Sequence, residues 1–118
     1  MKRVLTLLSL VCTLFVASAC HFDVNLSVDA DATLIYPDSA MIPVGPAHYE
    51  GFHRKHLTDY DLEDIFIDLT RNVSDSFTTA VLHLAVYDEI SGKHLRDETY
   101  GVVYNAHTGH YDFAELVL

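Results

Sequence analysis

Histidine is the residue type whose spacing most invites a chemical reading. Eight occur among 118 residues, and seven of them follow His21. HYEGFHRKH (48–56) holds His48, Glu50, His53 and His56, and HTGHYD (107–112) holds His107, His110 and Asp112. Zinc or copper requires three or four nitrogen or carboxylate ligands converging at about 2 Å. A helical turn over residues 53–56 would bring His53 and His56 together, and folding would add a ligand from the second cluster. His48, His53, His56, His107 and His110 are therefore the candidate ligands for zinc or copper. Arg54 and Lys55 stand between the first pair and oppose a cation. The spacing matches no metal signature such as H-E-x-x-H. Solvated histidines in a polar loop, with no resident cofactor, are the plainer expectation. A third reading is proton uptake, since imidazoles on a strongly acidic surface bind protons more tightly.

The remaining chemistry is sparse. Acids at 59, 61, 63, 64 and 68 resemble a calcium loop only superficially, because the sixth and twelfth places counted from Asp59 hold Asp64 and Thr70. An EF-hand needs glycine and a carboxylate there. Those acids fit a solvated helix face near the positive end of its dipole. No G-x-S-x-G elbow, phosphate loop or activated cysteine is present, so no enzymatic activity is expected. His83 neighbours Tyr100 or Thr99 across a hairpin, an arrangement that core-edge packing explains. Asn25-Leu26-Ser27 and Asn72-Val73-Ser74 fit a glycosylation sequon but fall on a strand and a helix end. Tyr87, Tyr100, Tyr104 and Tyr111 share the C-terminal strands, and Tyr36 and Tyr49 flank an irregular stretch. Such aromatic surface suits a protein or glycan partner, although sheets favour tyrosine for its own sake.

The elements that must position these residues follow from periodicity. FDVNLSV (22–28) alternates strictly and predicts a strand. VDADA reads as a turn, with TLIY (33–36) as a second strand ending at Pro37. Residues 37–57 are the least regular stretch, with MIPV (41–44) as a short edge strand. TDYDLEDIFIDLTRNV (58–73) carries Leu62, Ile65, Phe66, Leu69 and Val73 on one stripe, so a helix is expected over about 60–73. Thr58, Asp59 or Asp61 can cap it. Residues 77–118 read as a three-stranded meander with turns at EISGK and at Asn105–Gly109. Of two hairpin registers, a three-residue loop pairs Leu82 with Tyr100 and Ala80 with Val102, and it segregates apolar residues better. The apolar Leu116, Val117 and Leu118 predict a terminus docked in the sheet. The fold class expected is α+β: an antiparallel sheet of about five strands with one amphipathic helix packed on it.

The N-terminal residues read as an export signal. Lys2 and Arg3 precede the uncharged run VLTLLSLVCTLFV, and Ala17-Ser18-Ala19 supplies small residues for cleavage. The run is shorter than the roughly 20 residues of a membrane span. VASACHF (16–22) resembles the lipobox of bacterial lipoproteins, with Cys20 in the acylated position and Ser18 and Ala19 acceptable before it. Ala17 departs from the leucine most common there. The resemblance implies a signal at 1–19 and a single small domain, 20–118, anchored by lipid at Cys20. With His21 rather than aspartate after the cysteine, it implies the outer membrane of a Gram-negative cell. Simple cleavage and secretion is the alternative. The mature chain would have 99 residues, five basic and seventeen acidic, for a net charge of −12. That charge repels phosphate backbones, so no nucleic acid partner is expected. With Cys12 lost and Cys20 acylated, no internal disulfide remains to staple a small exported domain.

YDEISGKHL (87–95) with HTGHYDFAEL (107–116) also resembles the D-x-x-[ST]-G-K-x-L and G-x-[YF]-x-F-x-x-L pattern of carboxypeptidase-regulatory-like, transthyretin-like domains. That resemblance covers under a third of the chain and implies a β-sandwich with a helical insertion, serving as an adhesive or fimbrial-type structural module. The motifs lie at the end of this chain, where the family continues with further strands, and the preceding helix is foreign to it. The leading expectation is thus a small, non-catalytic envelope lipoprotein with a binding or assembly role at the cell surface or in the periplasm. Its partner would be another envelope protein or a glycan. The alternative is a histidine-rich periplasmic metal-binding protein.

Overall fold

A computed structural model describes residues 24–117. The signal-like run and Cys20 lie outside these residues. Five strands and one helix follow in the order β1 (Leu26–Ile35), β2 (Met41–Phe52), α1 (Asp59–Leu69), β3 (Thr79–Asp88), β4 (His94–Asn105) and β5 (His110–Glu115). All strand pairs are antiparallel, in one sheet ordered β2-β1-β3-β4-β5. This is the expected α+β arrangement. Among the described residues there is one open sheet rather than two packed ones, so the sandwich alternative is set aside.

The predicted turn at VDADA does not form. Leu26, Val28, Ala30, Ala32 and Leu34 are all buried on one side of a single ten-residue strand, and Asp29 and Asp31 project from the other. The period-two pattern runs unbroken through the aspartates, because an outward strand position tolerates a charge. Residues 41–52, expected to be mostly irregular, form the twelve-residue edge strand β2. Its partly buried positions are Val44, Ala47, Tyr49 and Phe52, a spacing of three, two and three. Two irregularities in the pairing with β1 explain this, one between Tyr49 and Phe52 and one between Val44 and Ala47. Each contains a glycine at positive φ, Gly51 and Gly45. Added bulge residues shift the inward face, so strict alternation is lost from the sequence. The bulges and Pro43 also blunt this edge against pairing with other chains.

α1 begins at a capping box in which Thr58 and Asp61 satisfy each other's backbone N–H groups. It ends at Leu69 with Thr70 as its C-cap, a turn before the expected boundary. Leu62, Ile65 and Phe66 are buried. Phe66 packs edge-on against Phe77, Tyr111 and Phe113, with ring centroids 5.9, 4.9 and 6.3 Å apart. Burying a side chain of this size contributes roughly 1.5–3 kcal/mol. The helix meets β1, β2 and β5 on one face of the sheet. Leu82 lies opposite Tyr100 and Ala80 opposite Val102, the expected register. A shift between Val86 and Tyr87 then sets Asp88 against Lys93 and makes the turn four residues (89–92) instead of the expected three. Gly92 takes φ 77° in that turn. Beyond β5, the Leu116 N–H donates to the Thr99 carbonyl at 2.8 Å, while the Val117 side chain is exposed.

Candidate functional site

The face of the sheet away from α1 has no layer over it among the described residues. Strand alternation sends Asp29 and Asp31 of β1 and His83 of β3 to this face. Asp97 and Thr99 of β4 join them, opposite Ala85 and His83. Asp31 is opposite His83, and Asp29 is opposite both Ala85 and, on the edge strand, His48. Two rows thus cross the sheet: His48, Asp29, Ala85 and Asp97, and beside it Asp31, His83 and Thr99. His48 holds Asp29 through Nδ1 at 2.6 Å and Glu50 through Nε2 at 2.9 Å. His94 holds Asp97 through Nε2 at 2.8 Å, its ring edge-on to Tyr87 at 5.3 Å. A shallow cleft of about 400 Å³, with Asp29, Asp31, His83, Asp97 and Thr99 in its lining, opens between these side chains.

The electrostatics of this face are one-sided. Arg96 is the only lysine or arginine within the five strands, and it points to the opposite face, beside Glu98. A neutral imidazole carries one N–H, so His48 can donate to both of its carboxylates only when protonated. The hydrogen bond to Asp29, then the one to Glu50, raises its proton affinity above that of an ordinary histidine.

The covered face contains a second polar group of different character. Glu98 is 9% exposed and accepts from Arg96 Nε at 2.5 Å and from the Tyr100 hydroxyl at 2.7 Å. Arg96 also donates to the Lys55 carbonyl at 3.0 Å, tying residues 53–57 over this end of the core. Burial, reinforced by the Glu98 carboxylate, pushes the Tyr100 hydroxyl far above the usual tyrosine range. Across the core the Tyr49 hydroxyl donates to Asp68 at 2.6 Å, joining β2 to α1. Burial first, then Asp68, pushes it up to about 12. Both hydroxyls remain protonated donors at any physiological pH. These bonds tie the elements together in a domain that has no disulfide among its described residues.

The five histidines proposed as metal ligands do not converge. His48 is taken by Asp29 and Glu50, and His53 Nδ1 pairs with the Asn25 side chain at 2.5 Å. His56 lines a separate cleft beside Arg96 and Glu115. His107 lies in the β4–β5 turn, where its N–H bonds to Asn105, and His110 pairs with Glu63 of α1. Among the described residues no group of three or more histidine, cysteine, aspartate or glutamate side chains is disposed to hold a metal ion. The helical turn over 53–56 that would bring His53 and His56 together does not form, and β2 ends at Phe52 just before it.

His83, His94 and Asp97 do not stand out in the sequence as site residues. The available signal was the alternation of β1, which sets Asp29 and Asp31 on one face once VDADA is read as strand. No helix among the described residues is long and apolar enough to cross a membrane. Comparison with family models, curated proteins and solved structures yields no match to this chain.

Proposed function

We propose that this chain is a non-catalytic binding module of the cell envelope, exported by residues 1–19 and held by lipid at Cys20, whose open sheet face receives a cationic protein segment. The observation that carries the reading is the group of Asp29, Asp31 and Asp97, in two adjacent rows on a face to which no strand contributes lysine or arginine. Each lysine or arginine of a partner would find a carboxylate in reach, and the field of an acidic domain steers such a partner during encounter. Export-type residues at the N-terminus and the resemblance to a lipobox support the envelope location. A net charge of −10 over the whole sequence supports the sign of the partner.

The test uses a lysine- and arginine-rich peptide and a matched glutamate-rich one, followed by titration calorimetry. The cationic peptide should bind, weaken as salt rises, and lose at least about tenfold in affinity in an Asp29→Asn/Asp31→Asn/Asp97→Asn variant. Equal binding to the variant would exclude the open face. For the anchor, the intact mass of protein extracted from its host membranes should show diacylglycerol and acyl groups on a chain beginning at Cys20. A bare chain would leave a secreted binding domain.

A further inference from the structure

A second cleft lies on the other side of the molecule, between the first turn of α1 and the β4–β5 hairpin. It has a volume of about 340 Å³, is open to solvent, and is lined by Asp59, Tyr60, Glu63, His110, Tyr111 and Asp112 together with Thr108. That volume falls at the small end of the roughly 300–1,000 Å³ of small-molecule sites. Its polar groups come from segments nearly fifty residues apart and are fixed by the fold. The Glu63 carboxylate accepts the Tyr111 N–H at 3.0 Å and the His110 Nδ1–H at 3.1 Å. The Tyr111 hydrogen bond leads in holding this carboxyl below the usual range, so it is anionic at neutral pH. With a hydrogen on Nδ1, the uncharged form of the ring offers Nε2 as an acceptor, and Nε2 has no partner among the described residues. The Asp59 carboxylate likewise has none, and Asp112 accepts only from Asn105 Nδ2 at 3.2 Å.

Beside these acceptors stand aromatic rings that the core does not use. Tyr60 is 77% exposed on the first turn of the helix. Tyr104, 54% exposed, leans edge-on against Tyr111 with centroids 5.3 Å apart. An open ring face beside several fixed acceptors matches a molecule with an apolar face and a rim of hydroxyl donors. The geometry points to a saccharide site, in which a sugar ring stacks on Tyr60 while its hydroxyls donate to Asp59, Asp112 and His110 Nε2.

The same groups restrict the ligand. Three carboxylates and no lysine or arginine in the lining repel phosphorylated, sulfated and uronic sugars. A neutral or amino-bearing oligosaccharide is the class that remains. An extended peptide is disfavoured, because the outward N–H of Tyr111, which an added strand would need, is already capped by Glu63. This site is independent of the open sheet face, so either can fail without the other.

The experiment is a titration of the isotope-labelled protein with neutral oligosaccharides of glucose, galactose, mannose and N-acetylglucosamine, and with glucosamine oligomers. It is read by amide shifts and by saturation transfer to the sugar. Saturable shifts at Asp59, Glu63, Thr108 and Asp112 with at least one oligosaccharide are expected, weakened at least about tenfold by Tyr60→Ala and by Asp112→Asn. Ile67→Ala, which removes an exposed residue of the same helix, should leave them unchanged. Tyr60 is exposed, so its variant should fold, and an unchanged dispersed spectrum verifies that. No saturable shift with any of these sugars, shifts that survive Tyr60→Ala, or shifts produced at this cleft only by a basic peptide would overturn the proposal.

Discussion

The face of the sheet under α1 and the face away from it both place carboxylates beside basic side chains, one residue apart on the same strand. Glu98 lies under the helix side, nearly inaccessible, with the Arg96 guanidinium and the Tyr100 hydroxyl bound to it. Asp97, its neighbour, points to the open side and holds only His94. In the first environment water is largely excluded, so an unpaired member would bear a desolvation penalty and the network acts as a staple. In the second, solvent screens each pair and little stability depends on it. Covered charges therefore hold this fold, and uncovered ones are free to meet a partner.

Four perturbations would break or sharpen that contrast. Phe66→Ala removes the ring that clamps α1 to Phe77, Tyr111 and Phe113, and denaturant unfolding should show a loss of about 3–5 kcal/mol. Glu98→Ala leaves Arg96 and the Tyr100 hydroxyl without their acceptor and should lose about 2–4 kcal/mol. Gly45→Ala tests whether the edge strand needs its bulge. A Cβ there would lie 3.1 Å from the Ala30 carbonyl oxygen, at a φ of 98°, so a loss of about 1–3 kcal/mol is expected. Asp97→Ala, one residue from Glu98, should change stability by no more than about 0.5 kcal/mol; losses equal to those of Glu98→Ala would abolish the distinction between the faces.

The smallest effect concerns protons. His48 binds its proton more tightly in the folded chain than an ordinary histidine, through Asp29 and then Glu50. Its contribution is therefore complete below the ordinary histidine value of about 6.5 and is lost as pH rises through the raised one. The imidazole signals of His48 in an NMR titration should report a midpoint above the ordinary value, and Asp29→Asn should lower it. A midpoint unmoved by Asp29→Asn would remove His48 from the array. The same protonation adds positive charge to the open face, so a cationic peptide should bind more weakly once pH falls below that midpoint.

Much of the architecture was legible in the residues themselves. The stripe of Leu62, Ile65, Phe66 and Leu69 specifies a helix, because only the 3.6-residue period gathers those side chains on one side. The register of β3 on β4 followed from face segregation, since a one-residue slip would turn Leu82 and Ala80 outward. β2 was not legible, because its inward residues depart from alternation wherever Gly45 and Gly51 shift the pairing. Nor were the two rows of the open face, whose aspartates at 29, 31 and 97 and histidines at 48 and 83 have no common spacing. The histidine clusters that were legible at 48–56 and 107–110 proved to be neighbours in sequence that take separate partners in space.

Outside β2, local periodicity thus determined which segments became helix or strand, and apolar burial determined which side of each faced inward. Only the tertiary structure decided which polar residues would meet. Pairing between strands brings residues together by their register across the sheet, and register relates positions at any distance along the chain. Periodicity relates only positions a turn or a pleat apart, so it leaves His48 beside Asp29, and Glu63 beside His110, to be found in the folded molecule.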